Sequence, residues 1–230
     1  MNALKNLKFI KFNLTDNSLK PSERFLKLVS IYLVKEGYSF IKNKKSFAKP
    51  FDKGNYIIRF DFRIGMLTSV TFSWFLFFEK LAKVNSTING NPKAYSRLMY
   101  MPASLSNHTR WEKDFEHTWP LYDDYTSTHT DKAINLALEN FIKAYELHVP
   151  NYFKHFEKYE SLESDYNRNE FKSVPGLILA KYFDNSNFET LLETFEKQTK
   201  VREPNNSGEE HKILERLKKY LQNNDIKNLI

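Results

Sequence analysis

The sequence predicts an α+β fold, with an antiparallel sheet of three to five strands from the N-terminal half, an N-terminal helix and a helical C-terminal half. Three observations carry this. In "IIRFDFRI" Ile58, Phe60, Phe62 and Ile64 alternate with Arg59, Asp61 and Arg63, and in "VTFSWFLFF" Val70, Phe72, Trp74, Leu76 and Phe78 alternate with Thr71, Ser73, Phe75 and Phe77. Period two with β-branched and aromatic residues marks strands. Beyond residue 128 the apolar spacing changes to that of helices, and segregated strands and helices point to α+β rather than to βαβ repeats.

The run from Ile64 to Phe78 holds fifteen uncharged residues between Arg63 and Glu79. A spanning helix needs about 20, and the alternation within the run reads as sheet. The segment "GMLTS" supplies the connection, which makes the two strands antiparallel neighbours. One face of the first strand is polar and expected to meet water or a partner. Phe75 and Phe77 give the second strand apolar residues on both faces, as for a central strand with cover on each side. Phe60, Phe62, Phe72, Trp74 and Leu76 are the expected core.

Upstream, "KPSERFLKLVSIYLVKEGY" reads as a helix: Pro21 suits its first turn, Phe25, Leu28, Val29, Tyr32 and Leu33 form one stripe, and Gly37 suits a left-handed end. "YSFIKNKKSFAKPF" is either one strand or a hairpin turning at "KNKK". After Phe78, "EKLAKVNSTI" fits a strand extension or a short helix, Asn89-Gly90 fits a hairpin turn, and "KAYSRLMYMP" one more strand. Residues 102–127 keep no period and read as a long aromatic loop.

In "THTDKAINLALENFIKAYELHV", Ile134, Leu138, Phe141, Ile142 and Tyr145 make a helical stripe, and Thr128 with Asp131 resembles a capping box. Pro150 is expected to break this helix and open the next, "NYFKHFEKYES". Helices follow over "VPGLILAKYFD", "NFETLLETFEKQT" and, after the polar stretch "REPNNSGEE", "HKILERLKKYLQ". The expected organisation is one domain over residues 1–200, with a linker and an amphipathic helix over 201–230 packed on or beside it.

With 20 Phe and 13 Tyr, and 41% hydrophobic residues, the chain has ample material for a packed core. It contains no cysteine, which removes disulfides, thiolate metal sites and cysteine nucleophiles. Lysines 5, 8 and 11 interrupt any signal-peptide core, and the chain reads as cytoplasmic. The net charge of +7 is concentrated: residues 1–55 hold twelve Lys/Arg against four Asp/Glu, and the remainder is close to neutral. A basic end attracts anionic partners, and it also serves solubility.

The densest polar cluster, "NHTRWEKDFEHTWP", supplies His108, Asp114, Glu116 and His117 as candidates for acid–base chemistry in a hydrolase-like enzyme. Its spacing fits no metal motif, and no glycine loop for phosphates or nucleophile elbow occurs. No cofactor and no metal are expected.

An N-terminal amphipathic helix ending in "EGYSF", a Lys-rich strand, alternating strands and "HVPNYFKHFEKYESLE" follow one another over roughly residues 20–200. That order resembles small bacterial α+β domains of unknown function, some grouped with the immunity proteins of contact-dependent toxin systems. The resemblance implies a binding protein that recognises a toxin or another partner; it carries over no functional residue. The reading of the residues agrees: a non-catalytic protein-binding module whose partner has an acidic contact surface, with Arg59, Asp61, Arg63, Lys42 and Lys44 as contact residues. No specific nucleic acid and no membrane are expected as partners.

Overall fold

The computed structural model describes residues 19–42, 45–63, 68–90, 99–104, 118–121, 127–168, 170, 172–205 and 208–230. Its fold is α+β. The elements are α1 (Pro21–Lys35), β1 (Ser39–Ile41), β2 (Ser46–Phe51), β3 (Gly54–Arg63), β4 (Thr68–Phe78), α2 (Glu79–Ile88), β5 (Met99–Ser104), β6 (Trp119–Leu121), α3 (Ser127–Phe156), α4 (Tyr159–Arg168), α5 (Val174–Tyr182), α6 (Phe188–Arg202), α7 (Glu209–Asn223) and a 3-10 turn (Ile226–Asn228). The strands pair in the order β1-β2-β3-β4-β5, with β6 also on β4. By contacts the residues fall into two compact units. The first comprises 1–48, 58–73 and 103–146, and the second 49–57, 74–102 and 147–230. Strands β2, β3, β4 and β5 and helix α3 supply residues to each.

In the first unit, β1 and β2 form the hairpin alternative: they pair antiparallel with Phe40 opposite Phe47, and Lys45, just before β2, takes φ 45°. Helix α1 starts with Pro21 in its first turn, and the Glu23 carboxylate accepts from the Lys20 N–H at 3.1 Å. It ends as expected at Gly37, φ 87°, where the Gly37 N–H donates to the Val34 carbonyl and the Tyr38 N–H to that of Leu33. This pair of bonds is the Schellman arrangement, which a left-handed glycine permits without a Cβ clash. The core stacks aromatic rings: Phe72 lies 5.0 Å from Phe141, 5.7 Å from Trp119 and 6.1 Å from Phe60. Phe25 meets the Phe60 ring edge-on from α1, and Tyr32 meets Phe141 and Tyr145. Arg24, on the same helix, is buried and paired with Asp131.

Phe60 and Phe72 are buried as expected, and so are Trp74 and Leu76 of the second unit. Phe62 is only half-buried, because it sits one residue from the strand end, where Lys45 Nζ covers its ring at 5.3 Å. Phe75 is buried and Phe77 half-buried, so β4 carries apolar burial on both faces.

Several further expectations are corrected. Of the two readings of "EKLAKVNSTI" the helix holds, and Asn89-Gly90 is not a hairpin turn but the end of that helix: Gly90, φ 66°, donates to the Thr87 carbonyl. A left-handed glycine serves a helix end as well as a hairpin. Within 102–127 the segment Trp119–Leu121 is a strand, pairing with Thr68–Val70; three residues are too few to show a period. Helix α3 runs through Pro150 to Phe156. The ring costs a helix about 3 kcal/mol, but the buried stripe Phe141, Ile142, Tyr145, Val149, Tyr152, Phe153 keeps its three- and four-residue spacing across it. Anchoring on both sides of the proline outweighs one lost bond. The same helix already contains Thr128, and the Asp131 carboxylate accepts from Arg24 instead of closing a capping box.

In the second unit, α5 is the most apolar helix: Val174, Leu177, Ile178, Leu179 and Ala180 are all buried. Its neighbours α2, α4, α6, α7 and the 3-10 turn surround it, which explains an apolar residue at nearly every position. At its end Asp184 takes φ 49°, and its carboxylate receives Lys227 Nζ. Glu203 reaches over "PNNSG" to accept from the N–H groups of Glu210 and His211, at 3.1 and 3.0 Å, capping α7. Arg216 of α7 donates to the Ile88 and Asn89 carbonyls at 2.6 and 3.2 Å, capping the other end of α2. Its bond to Glu209 holds that carboxyl below the usual range.

Burial raises the tyrosines Tyr32, Tyr56, Tyr145, Tyr159 and Tyr166 above their ordinary value of 10.0, Tyr159 to about 12. A raised value in the folded state means that the unfolded chain loses its proton first. Stability is therefore fully present below about pH 10 and falls as the pH rises through the folded values. Urea midpoints measured at about pH 9 and about pH 11.5 should show this loss. Tyr159→Phe, which keeps the ring and removes the phenol, should make the loss smaller; an unchanged loss would show that this phenol is not protected.

Candidate functional site

The register of the first unit fixes which side chains share its second sheet face. Phe40 and Phe47 are opposite one another and Phe47 meets Phe60, so these belong to the core face. The alternate residues form the other face: Arg59, Asp61 and Arg63 on β3, Ser46 and Ala48 on β2, Ser69, Thr71 and Ser73 on β4. Side chains two apart on a strand are about 7 Å apart. The result is a row of three charges bordered by short side chains on both neighbouring strands. Asp61 and Arg63 are exposed and Arg59 is half-buried.

Further positive charge is exposed near the adjoining ends of β1 and β2. Lys42, at the end of β1, and Lys45, in the turn, are exposed. Neither they nor Arg63 form an ion pair with another described residue. Arg59 has interactions of its own. Lys44 lies outside the described residues, as do His108, Asp114, Glu116 and His117.

Among the described residues no cluster of three His, Cys, Asp or Glu side chains is placed to hold a metal ion. No described helix is long and apolar enough to cross a membrane.

The second unit has a cavity that the sequence reading missed. It occupies about 450 Å³ beside the β2–β3 turn, against Glu79 and Lys80 of α2, Tyr159 and Tyr182. The two-residue turn Asp52–Lys53 packs closely because Gly54 has no side chain: a Cβ there would lie 1.8 Å from the Phe77 carbonyl oxygen. The "FDKGN" signature was the available signal for a tight turn, but its aromatic wall comes from more than a hundred residues downstream. No family model, curated protein or solved structure matches the chain.

Proposed function

We propose that the chain is a protein-binding module of the immunity type, which recognises a toxin or another protein whose contact surface is acidic. The observation that carries this reading is the second sheet face of the first unit. That face carries Arg59, Asp61 and Arg63 among short side chains, and the exposed Lys42 and Arg63 supply positive charge that forms no ion pair with another described residue. Such faces act by steering association more than by adding affinity.

The test uses the exposed Lys42 and Arg63, because Arg59 is half-buried and engaged and Lys45 covers the Phe62 ring. Lys42→Glu with Arg63→Glu should leave the thermal unfolding curve unchanged, since exposed positions tolerate substitution. Association with the recovered protein partner, followed by stopped-flow, should slow about tenfold or more at low salt and lose much of its salt dependence. Unchanged association kinetics in this variant, together with loss of a hydrolytic activity in His117→Ala, would instead place the function in the 108–117 segment.

A further inference from the structure

The cavity of the second unit contains a feature that points to a ligand. Lys53 Nζ stands 4.7 Å from the centre of the Tyr159 ring, and Tyr182 meets that ring edge-on at 5.9 Å. Asp52 and Glu79 bring carboxylates to the same space of about 450 Å³, and Asn55 Nδ2 donates to Glu79 Oε1 at 3.3 Å. The backbone below is fixed independently of the lysine side chain. Gly54 admits the close approach to Phe77, and the Lys53 carbonyl accepts from the Glu79 N–H at 3.2 Å. The Tyr159 phenol is buried and pushed up to about 12 by that burial, by Tyr182 and by Asp52.

We propose that this cavity binds an organic ammonium group, which takes the place of the Lys53 ammonium over the Tyr159 ring. The chain's own lysine marks the position: a cation on a buried aromatic face, with carboxylates beside it, is the arrangement that recognises ammonium ligands. The lysine stem is flexible and half-exposed, so its head can leave for water while the turn stays in place. A cavity of this size suits a small molecule or one side chain of a peptide. An anion is the poorer fit, because Asp52 and Glu79 oppose it, while of the two lysines at the cavity Lys53 is directed at the ring and Lys80 is exposed on α2.

The experiment follows the tyrosine ring signals of the full chain by NMR during titration with three probes. These are choline, Nα-acetyl-lysine methylamide and its uncharged counterpart Nα-acetyl-norleucine methylamide. At least one of the two cations should shift the Tyr159 ring signals while the norleucine compound does not. The tighter of the two tells whether a free quaternary ammonium or a lysine side chain is the preferred source. Lys53→Met removes the internal competitor and should tighten binding about threefold to tenfold, whereas Asp52→Asn should weaken it. The proposal is overturned if neither cation binds, if the norleucine compound binds equally well, or if Lys53→Met leaves the affinity unchanged or lower. Since Lys53 is half-exposed and its backbone bond does not involve the side chain, that variant keeps the test independent of folding.

Discussion

Replacing Phe72 by alanine is expected to cost about 3–5 kcal/mol of folding stability. The ring is fully buried on the central strand β4 and stacks against Phe60 and Trp119 while Phe141 meets it edge-on. Those three neighbours come from a strand, a second short strand and a helix, so no single element can relax into the space without losing its own packing. The cost therefore includes the lost burial and most of a cavity. Phe72→Leu, which refills part of the volume, should cost clearly less. Urea unfolding followed by tryptophan fluorescence measures both; an alanine variant that loses less than about 1.5 kcal/mol would mean that the surrounding rings collapse into the gap.

This core was legible in the sequence because alternation states directly which residues share a face. Phe60, Phe72, Trp74 and Leu76 follow from period two alone, and Phe25, Val29, Tyr32 and Leu33 from helical spacing. Phe62 is less buried than expected because periodicity gives a face and not a distance from the strand end. Pro150 departs from expectation for a related reason: the local cost of the ring is visible in the sequence, but the packing of the buried stripe that continues past it is not. Asn89-Gly90 shows a third limit, as the same left-handed conformation serves a hairpin and a helix end. The polar sheet face was legible down to Arg59, Asp61 and Arg63, because it is the other half of the same alternation. The cavity was not. Lys53 and Tyr159 lie far apart in the chain, and nothing in either local sequence announces that a ring will stand under that ammonium.

Arg24 belongs with the cavity among the features that only the tertiary structure reveals, and Asp131→Ala is accordingly expected to cost about 3–5 kcal/mol. The Arg24 side chain is 7% exposed and Asp131 31% exposed, so removing the carboxylate leaves a guanidinium in a site that water barely enters. Breaking one half of a buried pair is costly because the remaining charge lacks compensation, whatever the intact pair contributes. The distinction can be measured. Arg24→Met with Asp131→Ala removes both charges and keeps an apolar stem on α1, and it should recover most of the lost stability in urea unfolding. Recovery would show that the penalty lies in the orphaned charge. If the double variant is as unstable as Asp131→Ala alone, the loss comes from packing around residue 131 and not from the orphaned guanidinium.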